Sequence, residues 1–240
     1  MKRLRLFAGP NGSGKSTIKN NPSIRPEWLG IEVNPDELES ELRGNGFIEL
    51  RRFRTTISQG ELNDAFQSSS HWPSAKVAGN SAFEILVPDR LSIRTSNLTS
   101  YQTSWLASYL RDRLIDEGKS LATESVMSHS SKIDLLKRSK RAGYRNYLYF
   151  VATSDEEINL NRVRLRVNQG GHDVPEQKIR ARYHRSIGLL REALLHVYRG
   201  YIFDNSGPKA ELIAERTPQG TVELRSETIP QWFADAVWNQ

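Results

Sequence analysis

The chain has no cysteine among its 240 residues, which excludes disulfides and thiolate metal sites. It lacks any run approaching the ~18 consecutive apolar residues that a membrane-spanning helix needs. Charged and glycine-rich sequence follows Met1 too soon for the apolar core of a secretory leader, so the expectation is a cytoplasmic protein with no membrane association. The five histidines, at 71, 129, 172, 184 and 196, show no paired zinc-ligand spacing, and a structural metal is not expected. No heptad seam or exposed apolar stripe points to self-assembly.

What is present is 37% hydrophobic and 26% charged residues, enough for a substantial core in one domain carrying an insertion. The formal charge of +6 suits any polyanionic ligand, a nucleotide pocket as well as a nucleic acid. Its distribution is more informative. Arg162, Arg164, Arg166, Lys178, Arg180, Arg182 and Arg185 crowd into one stretch, and only Tyr183 among them could stack on a base. Nucleic acid is therefore not the favoured partner.

Residues 4–8, Leu-Arg-Leu-Phe-Ala, read as a short strand running directly into Gly9, Pro10, Asn11, Gly12, Ser13, Gly14, Lys15, Ser16 and Thr17. This is a complete Walker A pattern between a strand and a helix. Glycines reach backbone angles closed to other residues, so consecutive N–H groups can turn toward phosphate oxygens at a helix N-terminus. Lys15 is expected to reach the β- and γ-phosphates of ATP or GTP, and the Ser16 hydroxyl to complete a Mg²⁺ shell. A second Gly-Lys-Ser, at 118–120, has Arg113 where the first loop glycine belongs and follows a helix, so it fails the same test.

Further strands are predicted at 29–33, 120–124, 144–153 and 200–204, and helices at 101–117, 130–142, from 155 onward, and at 176–198. Residues 38–100 show short alternating runs between Ser- and Gly-rich breaks and read as an inserted, β-rich subdomain. The tail 207–240 offers a hairpin about Pro218-Gln219-Gly220 and an amphipathic end at 230–238. Alternating strands and helices, with the Walker A loop after the first strand, predict an α/β, three-layer P-loop NTPase fold with a mostly parallel five-strand sheet. In such sheets ligands bind at the carboxyl ends of strands, where Lys15, Asp36, Glu124 and Asp204 fall.

Asp36 is the candidate general base for an attacking hydroxyl, against a bland reading as a helix cap after Pro35. Glu124 is read as binding a substrate hydroxyl or ordering a magnesium water, or else as capping the helix near Ser130. Arg162 and Arg166 share a helix face, and with Arg180 and Arg182 beyond Gly170-Gly171 they could line a lid that neutralises developing charge. Tyr201-Ile202-Phe203-Asp204 fits only the loose form of a Walker B strand, which keeps Asp204, Asn205 and Ser206 as minor candidates.

Six ordered blocks resemble the zeta-toxin family of P-loop kinases: Gly9 to Thr17, Asn34 to Glu37, Thr123 to Ser125, Ala142 to Tyr144, Gly170 to Pro175 with Arg180 to Tyr183, and Phe203 to Ser206. The resemblance implies a nucleotide-kinase-like fold, a kinase using ATP or GTP with Mg²⁺ on a small-molecule acceptor such as UDP-N-acetylglucosamine, and an antitoxin partner. By position, Lys15 and Ser16 would hold phosphate and magnesium, Asp36 would be the base and Glu124 would contact substrate. Arg166 with Arg180 would clamp the phosphoryl group, with Arg182 a close competitor for Arg180. The chain departs from the family in having Glu-Ser where Glu-Thr-Thr is commoner, and in a longer stretch between Glu37 and Thr123. Competing readings are a kinase of another metabolite, a nucleic-acid end kinase drawing on Arg43, Arg51, Arg52, Arg54, Arg90 and Arg94, and a non-catalytic regulatory NTPase. No Leu-Ser-Gly-Gly-Gln-like segment supports an ABC ATPase.

Overall fold

The computed structural model describes residues 1–69, 82–86, 89–94, 98–170 and 173–238. In chain order the elements are β1 (Arg3–Ala8), α1 (Lys15–Lys19), α2 (Pro26–Leu29), β2 (Ile31–Val33), α3 (Pro35–Asn45), β3 (Phe47–Glu49), α4 (Gln59–Ser68), β4 (Phe83–Leu86) and β5 (Arg90–Ile93). They continue with α5 (Ser100–Asp116), β6 (Leu121–Ser125), α6 (Ser131–Arg141), β7 (Arg145–Ala152), α7 (Glu156–Asn168), α8 (Glu176–Gly188), α9 (Leu190–Leu195), β8 (Arg199–Asp204), β9 (Glu211–Arg216), β10 (Val222–Leu224) and α10 (Gln231–Val237).

The main sheet has seven strands in the order β10-β9-β8-β7-β1-β6-β2, not the five expected. The five strands read from βα alternation are all present. The hairpin of the tail adds the other two, β9 running antiparallel to β8 and β10 antiparallel to β9. At the centre β1 pairs in parallel with β7, and β7 in parallel with β8. Central parallel strands are covered on both faces, and their residues are correspondingly apolar. Leu4, Leu6, Phe7 and Ala8 of β1, and Leu148, Phe150, Val151 and Ala152 of β7, have no exposed surface.

The chain divides into two compact units, Met1–Gly30 with Ala122–Gln240, and Ile31–Leu121. In the first unit Tyr149 is stacked between Phe7 and Tyr201, with ring centroids at 4.6 and 5.0 Å, while Ile18 and Leu29 pack into the same cluster. On β7 the buried Asn146 accepts from Ser139 Oγ at 2.8 Å and donates to the carbonyls of Leu136 and His196, tying α6 and the end of α9 to the strand. A buried amide with all its groups engaged costs little and fixes register. In α10 Trp232 and Phe233 are buried, with Trp232 against Phe150.

Two boundaries differ from the sequence reading for local reasons. Pro26 opens a turn of helix that continues to Leu29 and ends at Gly30, whose φ is +73°, so the strand starts at Ile31 rather than at 29. The helix expected at 176–198 is interrupted at Leu189, which closes α8 and opens α9.

The second unit contains the stretch 38–100. Among the described residues it holds a three-stranded antiparallel sheet in the order β3-β5-β4, with α3, α4 and α5. Its core includes Ile48, Phe53, Leu62, Phe83, Leu91 and Leu106, with Trp105 in ring contact with Phe66, Phe83 and Tyr109. Capping boxes at Ser58/Glu61 and Thr99/Gln102 start α4 and α5.

Candidate active site

In the first unit β1 delivers the chain to a loop whose carbonyls are almost all occupied. Lys15 Nζ donates to the carbonyls of Gly9 and Pro10 at 3.0 and 2.9 Å. Asn159 Nδ2 donates to Asn11 O at 2.6 Å, and Asn205 Nδ2 to Ser13 O at 2.7 Å. Loop carbonyls held this way cannot point at an anion, which leaves the surrounding N–H groups and Lys15 as the donors available to phosphate. Gly9 is required for a second reason. Its φ is +141°, and a Cβ there would stand 1.9 Å from the carbonyl oxygen of Val151 on β7.

Directly after the loop, the Ser16 hydroxyl donates to Glu124 Oε2 at 2.8 Å, and Lys19 Nζ pairs with Glu124 Oε1 at 3.1 Å. Glu124 comes from β6, and the side chains of the Lys19–Glu124 pair are 10% and 11% exposed. So little water reaches this carboxylate that its charge is balanced locally by Lys19. Glu124 does not cap α6, whose N-cap is Ser130. Hard divalent cations such as Mg²⁺ take one or two protein oxygens and complete their shell with phosphate and water. Ser16 Oγ beside Glu124 has that donor chemistry. Among the described residues there is no cluster of three His, Asp or Glu that would hold a metal without a phosphate ligand.

The arginines divide into distinct groups. Asp155 caps α7 by accepting from Glu157 N, as the sequence pattern suggested. Arg180 is gripped by Glu157, Glu156 and Glu176 at 2.5, 2.8 and 2.7 Å, and these partners, Glu157 foremost, raise its pKa further. Arg166 lies exposed in the last turn of α7. Arg182 is half-buried and makes no hydrogen bond or ion pair with the described residues. Gly171 and His172 of the glycine hinge lie outside the described residues.

Asp204 serves as a structural acceptor. Its Oδ2 takes the indole N–H of Trp232 at 2.7 Å and its Oδ1 the Ser206 N–H at 2.9 Å, which anchors α10 and the turn that presents Asn205. Asp36 belongs to the second unit, in the first turn of α3. Its carboxylate is exposed, and the cap of that helix is Asn34, whose Oδ1 accepts from Asp36 N at 3.0 Å. The bland reading of Asp36 as the cap is thereby removed. The first unit thus brings Lys15, Ser16 and Glu124 together and adds Lys19, Asn159 and Asn205 around them. Lys19 follows Lys15 by one helical turn, a signal the sequence offered. Asn159 left none, because a buried asparagine beside Leu160 and Val163 reads as an irregularity in a core face.

Comparison with known proteins bears on the family and the fold. The family model described as zeta toxin matches residues 88–209, just over half of the chain. An uncharacterised protein of Haemophilus influenzae is 37% identical over 60 residues, 25% of this chain and 43% of that protein. The chain therefore spans less than half of that curated relative. Among solved structures, the AvrRxo1-ORF1:ORF2 complex with ATP superposes with a TM-score of 0.58 at 13% identity, covering 93% of this chain and 60% of that one. A structure of the PezAT chromosomal toxin–antitoxin system of Streptococcus pneumoniae superposes with a TM-score of 0.51 at 13% identity, covering all of this chain and 79% of that one. Those likenesses establish a shared fold, and with the matched family model they place the chain in the zeta toxin family of P-loop kinases.

Proposed function

We propose that the protein transfers the γ-phosphoryl group of ATP, or GTP, to a hydroxyl of a small acceptor, a nucleotide sugar of the UDP-N-acetylglucosamine type. The observation that carries this reading is the Ser16 hydroxyl, 2.8 Å from Glu124 and next to Lys15 in a loop whose carbonyls are turned to side-chain donors. Lys15 holds the β- and γ-phosphate oxygens, and Ser16 contributes its hydroxyl to Mg²⁺ while Glu124 orients it. Bound with the nucleotide, Mg²⁺ offsets the charge of the phosphates.

Asp36 accepts the proton of the acceptor hydroxyl as that oxygen attacks phosphorus, and ADP leaves carrying the electrons of the broken P–O bond. Arg166 with Arg180 or Arg182 steadies the transferring group. In Arg180 this requires exchange of glutamate partners for phosphate, since Glu156, Glu157 and Glu176 surround it. Arg182, which has no such partners among the described residues, needs no exchange.

The acceptor rests on the family resemblance, and a nucleic-acid end is less well supported. Of the arginines that could build a basic groove, Arg43, Arg51, Arg52 and Arg90 are each paired with a glutamate. An antitoxin that restrains the activity is part of the same reading, as is a cytoplasmic site of action. Among the described residues no helix is long and apolar enough to cross a membrane. The test is transfer of label from [γ-³²P]ATP with Mg²⁺ across nucleotide sugars, nucleosides, amino sugars and 5′-hydroxyl oligonucleotides. Label on a nucleotide sugar alone supports the proposal. Label on oligonucleotide ends, or ATP binding with no acceptor labelled, contradicts it.

A further inference from the structure

Asn159 sits in α7 with no exposed surface, yet both polar atoms of its amide are engaged. Asn11 O can only accept, so the atom of Asn159 that faces it at 2.6 Å is the N–H donor. The Oδ1 atom then faces the hydroxyl of Thr153, another residue with no exposed surface, and accepts its proton. Thr153 is itself fixed, because Tyr183 Oη donates to its backbone carbonyl at 2.7 Å from α8. With the amide reversed, two acceptor oxygens would confront each other at Asn11, so the Asn11 carbonyl fixes the orientation, and the Thr153 hydroxyl, which also lies 3.1 Å from the Asp155 carbonyl, braces the amide from its other end. The backbone carbonyl of Asn159 also bounds the loop, standing 2.5 Å from where a Cβ on Gly12 would lie.

We propose that Asn159, braced by Thr153, is a positioning residue that sets the conformation of the phosphate loop and thereby the affinity for the polyphosphate of the nucleotide. It touches no reacting atom and acts through Asn11. The path Tyr183–Thr153–Asn159–Asn11 joins the arginine-bearing helix α8 to the loop by hydrogen bonds, through the buried Tyr183, Thr153 and Asn159 to the half-buried Asn11. The inference rests on the kinase reading only in taking a nucleoside triphosphate as the loop's ligand.

The experiment measures Kd for Mg·ATP, kcat and Tm on the full chain for wild type, Asn159→Ala, Thr153→Val and Thr153→Ser. Leaving a buried carbonyl unpaired costs about 1–3 kcal/mol, which is about 5- to 150-fold in Kd if the bound loop bears that cost. Asn159→Ala and Thr153→Val are expected to raise Kd within that range at temperatures where circular dichroism finds them folded. Thr153→Ser, which keeps the hydroxyl, is expected to bind like wild type. Should Asn159→Ala fail to fold, the nearly isosteric Thr153→Val still decides the question. Lower Tm with a wild-type Kd in both variants makes Asn159 merely structural and overturns the inference. A wild-type protein with no affinity for ATP overturns the kinase reading instead, and the inference with it.

Discussion

Replacing Gly9 with alanine tests the geometry of the phosphate loop without touching any charged group. The backbone there has φ +141°, a region that costs a residue with a Cβ about 1–3 kcal/mol. The new methyl would also lie 1.9 Å from Val151 O, a backbone atom of the neighbouring strand that cannot swing aside. Relief by moving β1 from β7 resembles overpacking a core, about 1–3 kcal/mol more. The total of about 2–6 kcal/mol corresponds to a fall in Tm of about 4–24 °C for a chain of this size. Calorimetry on Gly9→Ala beside Gly188→Ala provides the internal control, since nothing lies within 4 Å of a Cβ at Gly188 and its φ is not positive. That second variant should melt at or slightly above wild type, because alanine restricts the unfolded chain more than glycine does. A Gly9→Ala protein melting within a degree of wild type would refute the argument.

Three further outcomes follow from particular contacts. Glu124→Gln removes the carboxylate that Lys19 faces in a site of 10% exposure, and since Lys19 keeps a further interaction the folded state should lose at most about 3–5 kcal/mol by chemical denaturation, with weaker Mg²⁺ dependence of ATP binding; unchanged stability would show that the pair is well solvated. Hydrogen bonds from the Ser58 backbone and hydroxyl, with Arg113, hold the Glu61 carboxyl down at about 2 from 4.5. A depressed carboxylate contributes stability that is complete above 4.5 and lost as pH falls toward about 2, so Glu61→Gln should flatten the acid limb of the stability curve in that window, and an unaltered limb would exclude the assignment. Asp204→Asn should lower Tm through the Trp232 contact while leaving the Mg²⁺ requirement of nucleotide binding intact, whereas a changed Mg²⁺ requirement would restore Asp204 as a metal-site residue.

The legibility of the molecule in its sequence tracks how local each determinant is. The phosphate loop is written in consecutive residues, and β1, α7 and their caps are fixed by neighbours a few positions away. Gly143, for example, turns the chain between α6 and β7 with φ +80°, as its position after a helix suggested. The hairpin β9–β10 was visible, but its addition to the main sheet depends on pairing with β8, which no local signal specifies. The loose Walker B pattern at Asp204 is ambiguous for the same reason. The partner that claims its carboxylate, Trp232, lies 28 residues further along the chain. The strand-end position of Glu124 points to function, yet its bond to Ser16 spans 108 residues and emerges only from the fold. Arg180 and Arg182 could not be separated by spacing. The fold distinguishes them by surrounding one with glutamates and leaving the other without partners among the described residues.

The central claim is that ATP held by this phosphate loop gives its γ-phosphoryl group to a hydroxyl deprotonated by Asp36. Single-turnover transfer from labelled ATP to the best nucleotide-sugar acceptor, compared between wild type and Asp36→Asn at saturating ATP, tests it most directly. The account predicts a rate lower by about 10²- to 10⁴-fold in the variant, with Kd for Mg·ATP unchanged. Equal rates in the two proteins would contradict it.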